Sequence, residues 1–152
     1  MKDGGVIDAL NKDKSVIHHI FAQGNTETRL EAMGYRVGYA LVEKIAKEMP
    51  RLVSELEIMK FICKEFWTNT FGKQVDNLRT NHQGIYVIQD NKFFTVASFS
   101  EGTQYIEEAA IYLSLPAGIL RGALANLGIS CIVIASTEKL PAVKFNVNLN
   151  KT

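Results

Sequence analysis

Two pairs of glycines, Gly34 with Gly38 and Gly118 with Gly122, fall inside stretches whose apolar residues recur at helical spacing. A glycine in a helix interior costs about 1 kcal/mol against alanine, so four of them in two helices need a physical reason. Residues four apart lie on one side of a helix. Each pair therefore opens a strip without side chains, along which another backbone can approach closely. That backbone belongs either to the same chain or to a partner, and spacing alone leaves both readings open. The pairs do not lie between a strand and a helix, so they are not phosphate-cradling loops.

Around these strips the chain alternates between two periods. Val6, Ile7, Leu10, Ile17, Ile20 and Phe21 predict a first helix over 6–23. Gly24-Asn25 ends it, and a second helix is expected from about Thr26 to Glu48, with Leu30, Met33, Val37, Leu41 and Ile45 along one face. Ser54-Glu55-Leu56-Glu57 reads as a capping box in which hydroxyl and carboxylate serve each other's backbone donors. The third helix follows to Phe71, where Gly72 supplies a stop. Its stripe of Leu56, Met59, Cys63 and Phe66 is widened by Ile58, Ile62 and Trp67, which implies burial on two sides.

The period then changes to two. Asn77 to Gln83 reads as polar loop, and Ile85–Ile88 and Phe93–Val96 read as a hairpin turning at Gln89–Lys92. Helical spacing returns from Thr103 to about Ser114 and from Ala117 to Leu127, with Pro116 in a first turn and Gly128 at an end. Ile129–Ala135 is a short apolar strand. Val143, Phe145, Val147 and Leu149 alternate with Lys144, Asn146, Asn148 and Asn150, which predicts a strand with one buried face. The expected order, α-α-α-β-β-α-α-β-β, is that of an α+β fold with a four-stranded antiparallel sheet covered by helices.

Length and charge narrow the function classes. At 152 residues, 47% hydrophobic and 22% charged, the chain is read as one domain, 1–152. A formal net charge of +1 argues against a dedicated nucleic-acid binder and removes a simple electrostatic case for docking on an anionic membrane. No apolar run approaches the about 18 residues of a membrane-spanning helix, and no secretory signal is expected from the MKDGG start. Two cysteines, Cys63 and Cys131, suit neither a disulfide scaffold nor a metal motif, and a cytoplasmic location is the expectation.

Candidate chemistry is sparse. His18 and His19 stand about 100° apart on a helix, too far round to chelate one ion. His82 sits in a polar loop without an acid or nucleophile beside it in sequence. Cys63 and Cys131 lie in apolar patterns, where a small buried hydrophobe is the default. The expectation is no catalytic residue, no cofactor and no metal. Arg121 is set among Ile119, Leu120, Ala123, Leu124 and Leu127, so its guanidinium either reaches solvent along its stem or forks onto acceptors inside the fold. More apolar helix surface is present than four short strands can cover, which points to an oligomer or partner interface.

Three segments carry a resemblance. LEAMGYRVGYALVEKI (Leu30 to Ile45), ELEIMKFICKEFWTNTFGKQVDNLRTNHQGIYVIQDNKF (Glu55 to Phe93) and GILRGALANLGI (Gly118 to Ile129) resemble the subunit-six family of the TRAPP (transport protein particle) complex, a group of Bet-family small subunits. The resemblance implies an α/β-plait fold and pairing with the Bet-type subunit three through the early helices. It places a partner surface at Leu30, Met33, Gly34, Val37, Gly38 and Leu41, and a structural role at Arg121 and Gly122. It implies a non-catalytic, architectural part in a complex that tethers vesicles in ER-to-Golgi and Golgi traffic and serves a Rab GTPase as exchange factor. Direct membrane insertion is not expected, and a homodimer of the isolated chain is a further possibility. Subunit-three relatives carry an acylated cysteine before the third helix. Met49-Pro50-Arg51-Leu52-Val53 has none, so acylation is not carried over. Distant relatives of the fold are small-ligand sensors, which makes a pocket for an apolar ligand the alternative reading.

Overall fold

The computed structural model describes residues 26–47, 54–93, 113–139 and 141–150. The expected helix over 6–23 with His18 and His19, the 49–53 stretch, strand residues 94–96 and the helix expected from Thr103 lie outside them.

Helix α1 (Thr26–Ala46) matches the expected second helix. The expected third helix is one rod in three parts: α2 (Glu55–Phe61), a π-helical segment (Ile62–Phe66) and α3 (Trp67–Phe71). Ser54 caps it by accepting a hydrogen bond from the Glu57 amide at 3.1 Å. Gly72 ends it at φ 93°, in the left-handed region that glycine enters without steric penalty. The π segment, which periodicity does not reveal, lets the Trp67 amide donate back to the Ile62 carbonyl. It turns Ile62, Cys63, Phe66 and Trp67 inward together.

Strands β1 (Asn77–Thr80) and β2 (Ile85–Asp90) follow, then α4 (Ser114–Asn126), β3 (Cys131–Ser136) and β4 (Val143–Leu149). All pairings are antiparallel and the sheet order is β1-β2-β4-β3. The expected strand from Val143 to Leu149 forms as read, with Val143, Phe145 and Val147 buried.

One reading is corrected. Residues 77–80, read as loop, are strand β1, which pairs with β2 across a turn at 81–84, whereas the expected second partner of β2, over 93–96, lies beyond Phe93 outside the described residues. The cause is local. The Asn81 side-chain oxygen accepts from the Gln83 and Ile85 amides, at 2.8 and 3.2 Å, and Gly84 takes φ 94°. Gln89 and Asp90 are strand residues. Phe93 is fully buried, with its amide donating to the Pro141 carbonyl at 3.1 Å.

The core lies between the helices and one sheet face. Trp67 is its centre, with ring centroids 4.7 Å from Phe71, 5.3 Å from Phe145 and 6.1 Å from Phe93. Its indole N–H donates at 2.9 Å to Asp90, which is 1% exposed. Lys73 Nζ at 2.8 Å and the Lys92 amide at 3.0 Å supply the other donors to that carboxylate. A buried carboxylate is tolerated because it is paired and hydrogen-bonded.

Both glycine strips are used within the chain, against each other. A Cβ on Gly34 would sit 2.9 Å from Ile119 N, and one on Gly38 would sit 2.8 Å from Ile119 Cα. Reciprocally, Cβ atoms on Gly118 and Gly122 would lie 2.9 Å from the Cα atoms of Glu31 and Tyr35. The α1 and α4 backbones touch, and Gly34 and Gly38, expected in a partner interface, face α4 of their own chain. Adding a methyl at Gly38 meets backbone that cannot rotate away, so the gain of about 1 kcal/mol in helix propensity is overwhelmed by overpacking. Gly38→Ala should lower the melting temperature by at least about 4 °C. A scanning-calorimetry midpoint at or above wild type would contradict the contact.

Candidate functional site

Helix α1 has two jobs on its circumference. Gly34, Gly38 and Val42 are buried, and Val37, Leu41 and Ile45 are half-buried against the core. Leu30 and Met33, earlier on the same stripe, are half-buried without belonging to that core packing. Tyr39 is 43% exposed, and its ring stacks on Tyr35 with centroids 6.2 Å apart. The expected partner stripe is therefore divided. Val37 and Leu41 serve the chain's own core, whereas Leu30 and Met33 keep apolar surface available.

Arg121 stands where α1, α4 and β3 meet. Its Nε donates to the Cys131 carbonyl at 3.3 Å and its Nη1 to Glu31 Oε1 at 3.0 Å. The guanidinium lies 4.9 Å from the Tyr35 ring centroid, a cation–π contact. Its side chain is nonetheless 41% exposed and that of Glu31 39%. The two expected fates of Arg121 are thus combined, a fork onto internal acceptors at the edge of solvent. Gly122 next to it receives the Tyr35 backbone. A cavity of about 290 Å³ opens here, lined by Tyr35, Arg121, Ala125, Gly128, Ser130 and Cys131.

The other candidates fall apart in space. His82 sits at φ 60° in the exposed β1–β2 turn, its amide donating to Thr80 Oγ1 at 3.0 Å. Among the described residues no group of three or more His, Cys, Asp or Glu side chains is arranged to hold a metal. No described helix is long and apolar enough to cross a membrane. Cys63 faces the core and burial pushes its thiol up to about 12. Cys131 is also buried. Burial raises its thiol to about 11, against the opposing pull of the Arg121 charge. Sequence reasoning missed the cavity because Tyr35 on α1 closes it against the distant stretch 121–131.

The family model described as transport protein particle (TRAPP) component matches residues 7–150. The chain is 55% identical to mouse trafficking protein particle complex subunit 6B over 128 residues, covering 84% of this chain and 81% of that protein. It is 51% identical to the human subunit 6B over 146 residues, covering 93% and 92%. A crystal structure of trafficking protein particle complex subunit 3 from Naegleria fowleri, covalently bound to palmitic acid, superposes with a TM-score of 0.68 over 99% of this chain and 98% of that one, at 17% identity. At that identity the likeness speaks for the fold, and it agrees with the α+β architecture found here.

Two outcomes follow from the site. With both thiols buried and their pKa values raised, the native protein should take up no iodoacetamide at neutral pH, and the denatured protein should take up two equivalents by intact mass. Labelling of the native chain at Cys63 would refute its burial. Arg121→Ala should lower the melting temperature by about 2–4 °C, in keeping with about 1 kcal/mol for a half-solvated ion pair with additional contacts. Arg121→Lys should recover only part, because an ammonium does not reproduce the planar fork. Equal melting of all three proteins would show the fork to be idle.

Proposed function

The chain belongs to the transport protein particle (TRAPP) component family, and from that premise we propose that it is an architectural, non-catalytic subunit that pairs with a Bet-type subunit three. In this reading the assembled complex tethers vesicles in ER-to-Golgi and Golgi traffic and promotes nucleotide exchange on a Rab GTPase. The chain reaches the GTPase and the membrane only through that assembly, from the cytoplasmic side. The relatives are named as subunits of a complex, which favours assembly over isolated action.

The observation that carries the reading is the surplus on α1. Its glycine face is occupied by α4, yet Leu30 and Met33 still offer apolar surface and Tyr39 is exposed on the same helix. Burying such residues is worth about 25 cal/mol per Å² of apolar area removed from water, and a helix face is a ready surface for that gain. The apolar-ligand alternative gains little by comparison. The palmitic acid belongs to the Naegleria fowleri protein, and here the 49–53 stretch has no cysteine while both thiols are buried.

Met33→Asp tests the pairing better than a change at Val37, because Val37 also packs on the chain's own core. A carboxylate buried without a partner in a dry interface costs several kcal/mol, about 1–3 for a lost hydrogen-bonding shell and more for the charge. Affinity purification should recover subunit three with wild type and lose it with Met33→Asp, while the far-UV helix signal stays unchanged. Undiminished recovery by a folded Met33→Asp would remove this face from the interface.

A further inference from the structure

The sheet ends at β3, which pairs only with β4 among the described strands. In an antiparallel ladder, residues alternately bond to the neighbour and point their N–H and C=O away from it. The Asn150 amide donates to the Ser130 carbonyl at 2.9 Å, so Ser130 faces β4. Cys131, Val133 and Ala135 therefore direct their backbone groups to the outer edge. The Arg121 bond to the Cys131 carbonyl agrees with this, because it places the guanidinium on that edge. The side chains alternate as well. Cys131 and Val133 are buried, whereas Ile132 and Ile134 are 54% and 57% exposed on the open face.

Protected edge strands carry a lysine, a proline or a bulge. β3, Cys-Ile-Val-Ile-Ala-Ser, has none of these. At the start of the strand Arg121 supplies a positive charge, where the 290 Å³ cavity opens. Of the five N–H groups of a guanidinium, those engaged among the described residues are Nε–H and one on Nη1. Ser130 Oγ accepts from Asn150 Nδ2 at 3.0 Å, which leaves its own proton to donate.

We propose that the β3 edge and the Arg121 cavity together dock the C-terminal tail of a partner chain, added as an antiparallel strand. The polarity follows from the geometry. A strand antiparallel to β3 ends where β3 begins, so its terminal carboxylate arrives beside Arg121, the outward Cys131 N–H and the Ser130 hydroxyl. Its backbone bonds at Val133 and Ala135. Its last and third-from-last residues then fall opposite Ile132 and Ile134 and should be apolar, and the residues between need carry no charge. Strand addition supplies main-chain bonds and the alternate side chains supply selectivity. Glu31 opposes the incoming anion by holding one edge of Arg121, so the site prefers a single carboxylate set into a neutral strand over a polyacidic segment.

The test is fluorescence anisotropy of the full chain with a labelled hexapeptide ending Val-Thr-Val, as the free acid and as the C-terminal amide. The acid should bind saturably and the amide at least about tenfold more weakly, the size expected for losing one charge-assisted fork. Ser130→Asp, at an exposed position, should weaken the acid by about tenfold with an unchanged melting temperature. Absence of saturable binding up to about 1 mM, equal binding of acid and amide, or full affinity in a folded Ser130→Asp would each overturn the proposal. The acid and amide comparison uses wild type alone, so it stands even where a variant does not fold. The Leu30–Met33 face takes no part in this assay, so its outcome is separable from that of the subunit-three pairing.

Discussion

The contact on which the rest of the structure depends is the backbone-to-backbone packing of α1 on α4. Four glycines make it, two from each helix, and each accepts the neighbouring main chain where any side chain would collide. Close packing of this kind fixes both separation and rotation of the helices, since a small shift brings Cβ atoms or carbonyls into overlap. The rotation matters most. It turns Val42 inward, sets Arg121 within reach of Glu31 and Tyr35, and leaves Leu30 and Met33 half-buried outside the core packing. The internal joint and the proposed external surface of α1 are thus two consequences of one geometry.

A second joint ties the α2–α3 rod to the sheet. The π segment brings Phe66 and Trp67 inward, and Trp67 reaches Asp90 at the end of β2. Asp90 in turn collects Lys73 and the Lys92 amide, so the residues that follow β2 are pinned around a buried carboxylate. Phe93 then enters the aromatic cluster with Phe71 and Phe145. A half-satisfied carboxylate at this depth would be costly, which explains why three donors converge on it.

Much of this was legible in the sequence where local chemistry and tertiary context agree. The Ser54 cap, the Gly72 stop, the α1 helix and the alternation of β4 all form as read, because each rests on local spacing that the fold only reinforces. β1 was not legible. Asn77-Leu78-Arg79-Thr80 has weak strand propensity, and it is strand because β2 pairs with it across the Asn81 turn. The π segment was also hidden, since an extra residue per turn does not disturb the apolar content of a stripe buried on two sides. The glycines announced a close approach without naming the partner, as spacing records proximity and not chain identity. The cavity at Arg121 assembles residues nearly a hundred positions apart, from Tyr35 to Cys131, and no window of sequence contains them together.

The central claim is that this family member is a scaffold that works by pairing. Its most direct test is light scattering of the purified 16.9 kDa chain mixed with Bet-type subunit three after size exclusion. The account predicts one peak whose mass is the sum of one copy of each chain. Two separate peaks at the individual masses, with both proteins folded, would contradict it.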